Sequence, residues 1–327
     1  MYLVCVIVFC FLNRDLEGNV NIFFILLIKI FPLYINVGLG FFATKYLDVQ
    51  RHSVAALLIY IIGPIVVLSA TMSVEINASV AFLPIFLYIF GSIIAFATLL
   101  IFGKNWKDPT GNILAFSSGT GNTGYFGIPL ALIFFDTDLA NIYIFTVLAS
   151  LLYENTTGFY VTAKGNFTAK QSIVKIIKLP ILHAFIVGIT LNIMGIKLPE
   201  ELTFYSDQFK SAYGILGMMM LGMGLHGFNK SDDLDFKFIK ISFIIKFIFW
   251  PASILALIYL DKTFIQLLNE DLYKVLILFS IVPLAGNTVS LAVLLNAKPE
   301  KASLSVFLST VLSILFIPLA LYLYGGF

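Results

Sequence analysis

Charged side chains are scarce in this 327-residue chain. Aspartate, glutamate, lysine and arginine make up 12% of the residues and hydrophobic residues 60%, whereas an ordinary soluble protein has about 25% charged residues. No stretch is both long enough and polar enough to form a separate soluble domain. The net charge of +2 gives no reason to expect a nucleic-acid partner.

Cysteine is almost absent as well. Cys5 and Cys10 lie in one apolar run and show neither metal-ligand spacing nor the pattern of a disulfide framework, so we predict no metal site and no cofactor. The sequence also lacks a Gly-x-x-x-x-Gly-Lys loop that would bind phosphate. ATP is therefore not expected as a direct energy source.

Apolar segments of about 20 residues recur along the chain, and this length crosses a hydrocarbon core of about 30 Å. Residues 1–12 are apolar but too short to span, so we interpret 1–20 as an N-terminal extension, with an eleventh span or an uncleaved signal as alternatives. The pattern predicts an all-α membrane protein with ten transmembrane helices, at 21–44, 53–73, 80–102, 111–135, 139–163, 172–195, 205–226, 238–260, 273–296 and 301–325.

Basic residues favour one end of these spans. The loops that would share one membrane face lie near 45–52, 103–109, 164–178, 227–240 and 297–301, and they carry most of the lysines and arginines. The positive-inside rule assigns this face to the cytoplasm. Both termini are therefore predicted to lie outside, and the 164–178 loop inside.

The central basic stretch divides the spans into two sets of five. We predict a first five-helix repeat at 21–163, a cytoplasmic linker at 164–171 and a second repeat at 172–327. Because five is odd, the second set must enter the membrane from the opposite side. This arrangement is an inverted-topology repeat, which is common in secondary transporters.

The fourth and ninth spans are interrupted at matching places, by glycines, Asn122 and Pro129 in the fourth and by Pro283, Gly286 and Asn287 in the ninth. Lipid cannot hydrogen-bond an opened backbone, and paired broken spans point to the binding site of a transporter. Kinked helices with glycines for close packing are the alternative. The predicted substrate-binding residues are Asn122, Thr123, Gly127, Pro129, Asn287 and Thr288.

Glu154 is the acidic residue that lies well inside a predicted span, within the polar cluster Tyr153-Glu-Asn-Thr-Thr157. An intramembrane carboxylate is costly and is a functional hypothesis by default. We predict proton coupling at Glu154, with a structural hydrogen bond or a position near the interface as alternatives. Lys29 and Lys246 also lie in apolar stretches, and we expect their long stems to carry the ammonium groups to an interface, with a substrate contact as the alternative.

The segment Asn122-Thr-Gly-Tyr-Phe-Gly-Ile-Pro129-Leu-Ala resembles the fourth-span signature of the auxin efflux carrier family, which includes plant auxin carriers and bacterial malate-permease-type proteins. Pro283, Ala292, Asn296 and Pro299-Glu-Lys-Ala-Ser303 resemble its ninth-span region. The resemblance covers about residues 20–326. It rests on the order and spacing of these motifs together, since none is highly specific alone.

The resemblance implies two inverted five-helix repeats, as in bile-acid sodium symporters, with the fourth and ninth spans crossing beside the substrate. It implies an alternating-access, elevator-like motion in a bacterial inner membrane. Protons or Na+ are candidate coupling ions, uniport is an alternative, and a homodimer is one candidate assembly. Thr288 stands where plant carriers have a second proline, and the loop between the fifth and sixth spans is short. Both departures favour a small organic-acid anion, such as a dicarboxylate, over auxin itself.

Two other classes of function fit the composition less well. A gated anion channel would be expected to show rings of polar residues or a filter, and an odd-numbered inverted repeat argues against it. An intramembrane protease would need paired aspartates or a His-Glu-x-x-His zinc motif, and neither appears in the spans. The sequence therefore predicts a secondary active transporter or a uniporter, and not an enzyme.

Overall fold

The computed structural model describes residues 18–163, 180–224, 234–295 and 297–325, and these residues form helices and short connections without a strand. The predicted linker 164–171, most of the predicted N-terminal extension and Asn296 lie outside them. The helices are α1 Gly18–Leu47, α2 Arg51–Ser73, α3 Ala78–Phe102, α4 Thr110–Ser118, α5 123–134, α6 137–163, α7 Pro180–Ile193, α8 Glu200–Met223, α9 Phe236–Ile265, α10 Glu270–Ile281, α11 Asn287–Leu294 and α12 Pro299–Tyr324.

Five of these helices are long and apolar enough to cross a membrane, namely α1, α2, α3, α9 and α12, and α7 is a shorter apolar helix. On α3 the large apolar side chains Ile85, Ile89, Ile93 and Leu100 are exposed and follow one face. Contiguous exposed apolar surface of this kind marks contact with lipid or a partner. The count of ten spans and their inverted repeat stay predictions.

Several helices begin at a polar capping residue. The side chains of Asn77, Asp136 and Asn269 each accept a hydrogen bond of 2.9 Å from a main-chain N–H three residues further on. Such a cap stabilises a helix by about 1 kcal/mol. Local chemistry in the sequence therefore sets the starts of α3, α6 and α10.

Three helical runs widen into a π-helical turn just before a proline. The turns Leu58–Ile62, Thr123–Gly127 and Ile245–Phe249 precede Pro64, Pro129 and Pro251. Proline has no N–H and clashes with the carbonyl four residues earlier. A wider turn relieves this clash without ending the helix.

The fourth and ninth spans predicted from the sequence, 111–135 and 273–296, are each interrupted where the sequence predicts. In the first, helix α4 ends at Ser118 and helical structure resumes at Thr123; in the second, α10 ends at Ile281 and α11 begins at Asn287. We call 119–122 and 282–286 the first and second breaks. Helices α4 and α10 are buried along nearly all of their length, which places both breaks in the interior.

Helices α1 and α8 pack at very short range through glycine. A side chain at Gly40 would collide with the main chain of Met219, and one at Gly222 with the carbonyl of Val37. Helix α2 packs against α7 in the same way, with Gly188 facing Thr71. These four helices form one packed group beside the breaks.

Candidate functional site

The two breaks are joined by a main-chain hydrogen bond. The N–H of Asn122 donates to the carbonyl oxygen of Pro283 at 2.8 Å. Both groups belong to backbone that has left its helix, and neither could find a partner in lipid. The two breaks therefore satisfy one main-chain donor and one main-chain acceptor of each other.

Side chains from neighbouring helices hold the freed carbonyls at the end of α4. The hydroxyl of Tyr153 donates to the carbonyl of Phe116 at 2.9 Å, and the indole N–H of Trp250 donates to the carbonyl of Ser118 at 2.8 Å. The last carbonyls of a helix have no partner within it. Sequence reasoning missed both capping residues. The only signals were that Tyr153 begins a polar cluster and that Trp250 directly precedes Pro251.

A cavity of about 260 Å³ lies beside the two breaks. Helices α2, α4 to α8 and α11 contribute its remaining walls, and the stacked rings of Tyr125 and Tyr213 line it with centroids 5.8 Å apart. Its lining combines these apolar walls with a few polar groups, which is the character of a small-molecule site. Four predicted functional residues line it: Asn122, Thr123, Glu154 and Asn287.

The other three predicted residues do not line this cavity. A side chain at Gly127 would collide with the hydroxyl of Tyr143, and Pro129 packs against Gly214. Thr288 is buried in the first turn of α11 with its hydroxyl unpartnered among the described residues. In the structure these residues shape the helices that carry the site.

Glu154 and Asn287 meet inside the cavity. The side-chain amide of Asn287 donates to one carboxylate oxygen of Glu154 at 2.7 Å, and the hydroxyl of Thr120 lies 3.5 Å from the other. Glu154 occupies a π-helical turn of α6, 154–158, and is partly buried. The carboxyl group therefore contacts both the first break and the residue that follows the second.

Asn122 presents an unused donor at the same place. Its side chain is 3% exposed, and its amide nitrogen has no hydrogen-bond partner among the described residues. A buried polar group without a partner costs about 1–3 kcal/mol. Thr123, by contrast, is satisfied by the hydroxyl of Ser150 at 2.8 Å.

The expectation that Lys246 reaches an interface is wrong. Its side chain is 1% exposed and lies over the ring of Trp250, with the ammonium nitrogen 5.1 Å from the ring centroid. Lys29, in contrast, is exposed, and its ammonium lies 5.7 Å from the ring of Phe134. The Lys246 side chain therefore points into the protein, where it contacts the Trp250 ring and Gly121 of the first break.

Integral membrane transport proteins typically combine long apolar helices that have exposed apolar faces with broken helices beside an interior cavity that carries a few polar groups. Residues 164–321 match the family model described as "Membrane transport protein". This family includes the auxin efflux carriers, so the match confirms over residues 164–321 the resemblance read from the motifs, and it supports a membrane transport function. The matched residues contain the second break. A comparison with curated proteins finds no match.

Proposed function

We propose that this transporter moves a small organic-acid anion, such as a dicarboxylate or an auxin-like carboxylate, by alternating access. The observation that carries the proposal is the unpartnered amide of Asn122 in a cavity beside two broken helices. A carboxylate oxygen is the acceptor that such a donor lacks. The cavity is just below the usual range of ligand pockets, about 300–1,000 Å³, which favours a small substrate.

Glu154 supplies a reason for coupling to protons. Two like charges about 4 Å apart repel by about 4 kcal/mol at an effective dielectric constant of about 20. A substrate anion beside Asn122 would share the cavity with the Glu154 carboxylate. The anion therefore binds best when Glu154 carries a proton, which makes proton–anion symport the mechanism that we favour over Na+ coupling.

Asn287 would respond to the state of Glu154. Its amide now donates to the carboxylate. A protonated Glu154 is a weaker acceptor, because charge-assisted hydrogen bonds are roughly twice as strong as neutral ones. Protonation would therefore free the Asn287 amide to contact the substrate, while deprotonation would draw the amide back to Glu154 and expel the anion.

Helix packing supports the two inverted repeats. In the predicted repeat the first and second spans correspond to the sixth and seventh. The observed pair α1 with α8 then corresponds to the pair α7 with α2, and both pairs pack extensively. We propose that these four helices form a scaffold, against which the helices that carry the breaks move.

A second cavity would give the substrate a path out of the site during this movement. It is about 60 Å³ in volume and lies between α1, α8 and α12, and Gly286 lines both cavities. Arg51 also lines the smaller cavity and would attract an anion that leaves the site. A small shift of the second break would connect the two spaces.

Uptake into liposomes that contain the purified protein tests the proposal. We expect saturable uptake of labelled malate or indole-3-acetate that unlabelled acid competes away, and that an inward proton gradient drives. Flux that rises linearly with concentration would indicate a channel instead. Absence of any carboxylate flux in protein that binds no acid would refute the proposed substrate class.

A further inference from the structure

Lys246 is a buried cation without a hydrogen-bonding partner. It lies in the π-helical turn Ile245–Phe249 of α9, and its ammonium nitrogen has no hydrogen-bond partner among the described residues. The other lysine that is buried among the described residues behaves differently: Lys210 donates to the side chains of Asn141 and Asp207, each at 2.9 Å. A buried charge is normally paired in this way.

The ammonium group lies directly behind the first break. A side-chain carbon at Gly121 would collide with the Lys246 ammonium and would come within 2.9 Å of Val282 in the second break. Gly121 lines the cavity and Lys246 does not. The main chain at Gly121 is therefore the partition between this cation and the space where a ligand would lie.

Two unpartnered donors flank this partition. Asn122 lines the cavity and its buried amide nitrogen has no partner among the described residues, and the Lys246 ammonium lies on the far side of Gly121. Both groups donate hydrogen bonds, and an ammonium cannot accept one. The species that would complete the site is therefore an acceptor, and the charged form of Lys246 favours one that is negative.

We propose that Lys246 determines specificity for anions, by holding a positive charge one peptide unit behind the substrate carboxylate. This inference rests on the proposed function and assigns the charge selection of that site to a residue outside the cavity. The interior of a protein screens charges weakly, so a cation at this separation still favours an anion strongly. Neutral molecules of the same shape gain nothing from it.

The test compares acids with their amides. Lys246→Met keeps the length of the side chain and removes the charge, and Lys29→Met removes an exposed lysine in α1 as a matched control. Binding of malate and malamide, and of indole-3-acetate and indole-3-acetamide, is measured by ligand-dependent thermal stabilisation and by calorimetry on purified protein. Unfolding of each variant without ligand is measured as well.

We expect Lys246→Met to weaken acid binding at least tenfold and to leave amide binding unchanged, while Lys29→Met changes neither. We also expect the ligand-free Lys246→Met protein to unfold at the same or a higher temperature, because it no longer buries an unpaired charge. A residue with a purely structural role would instead lower the unfolding temperature and weaken both ligand types.

Two results would overturn the inference. In the first, Lys246→Met keeps the wild-type preference for acids over amides, which would remove Lys246 from selection while leaving the proposed function intact. In the second, the wild-type protein itself binds amides as well as acids, so that there is no charge selection for Lys246 to provide. Saturable carboxylate uptake in liposomes would show whether the proposed function survives either result.

Discussion

Asn287 and Glu154 are joined by a hydrogen bond of 2.7 Å between the residue that follows the second break and the acidic residue of α6. An N–H of Asn287 that donates a hydrogen bond to the Glu154 carboxylate cannot donate to a substrate at the same time. In the proposed mechanism this pair would link occupancy of the site to the protonation of Glu154, which is the basis of the first prediction.

Glu154→Gln fixes a neutral group of the same shape in the cavity. We expect this variant to lose accumulation driven by a pH gradient but to keep exchange of internal for external substrate, since exchange needs no net proton movement. Glu75→Gln, at an exposed position between α2 and α3, is the control and should behave as wild type. Accumulation that persists in Glu154→Gln would make the carboxyl structural and leave uniport driven by the membrane potential, worth about 2.3 kcal/mol per charge per 100 mV.

Asn122→Ala removes the unpartnered amide and keeps the main-chain N–H that bonds to Pro283. Loss of a hydrogen bond to a charged group costs about 1.5–3 kcal/mol, so the affinity for the transported acid should fall about tenfold or more. The folded protein should be no less stable, since the amide has no partner to lose. Asn105→Ala, at an exposed position, is the control, and equal affinities in the two variants would exclude Asn122 from the site.

Gly222→Ala should separate α1 from α8. The new methyl group would meet the main-chain carbonyl of Val37, and a main chain cannot move aside as a flexible side chain can. Overpacking of this kind costs about 1–3 kcal/mol or more, measured by thermal unfolding in detergent. Gly38→Ala lies in the same helix pair with no atom near its added carbon, so it should be neutral or slightly stabilising. Equal stability of the two variants would contradict the close packing.

We expect the free energy of unfolding to fall in acid, because Asp235 loses its charge there. Its carboxylate accepts hydrogen bonds from Lys301 at 2.8 Å and Trp106 at 2.8 Å, which joins the starts of α9 and α12 to the connection before α4. Burial alone would raise the pKa of Asp235, but the hydrogen bonds, that of Lys301 foremost, outweigh it and hold the pKa below its usual value of 3.8.

A depressed carboxyl pKa stabilises the folded state above the unfolded value, and this stability is lost as the pH falls through the folded value. We therefore expect wild type to exceed Asp235→Asn by about 1–3 kcal/mol in free energy of unfolding near pH 7, with the difference shrinking below about pH 4. Asparagine is itself a good helix cap, so the difference reports the contacts to Lys301 and Trp106. A difference that does not change with pH would contradict this account.

The orientation is testable by cysteine labelling. Both native cysteines, Cys5 and Cys10, are first replaced by serine. A cysteine at Thr168, in the basic loop, should react with an impermeant maleimide only after the cells are permeabilised, while one at Glu75 should react in intact cells. Reaction of the Thr168 position from outside would reverse the predicted topology.

The breaks could be predicted from the sequence because their causes are local. Glycine, proline and asparagine at the centre of an apolar run oppose a continuous helix, and the structure interrupts the helix at both places. Asn122, Thr123 and Asn287 were predicted for the same reason, and Glu154 was predicted because it is a carboxylate inside an apolar span. Gly127 and Pro129 were placed in the site because they share that run, but beyond Thr123 the chain is helical again and turns them toward α6 and α8.

The direction of Lys246 could not be predicted. A lysine in an apolar helix can extend toward an interface or inward. Trp250 lies four residues further along the same helix, a spacing that the sequence shows, but the contact with Gly121 forms only in the folded protein. The caps that Tyr153 and Trp250 provide for α4 are likewise tertiary contacts. No spacing along the chain indicates them.

The hydrogen bond between Asn122 and Pro283 has a consequence for how the protein is made. Synthesis delivers the first break to the membrane while the residues that will satisfy it are still untranslated. Until the second half is inserted, the opened backbone at 119–122 needs a temporary partner, such as water or the insertion machinery, because lipid offers none. The two halves therefore mature together, and a first half produced alone should be a target for membrane quality control, while co-expression of the second half should rescue it.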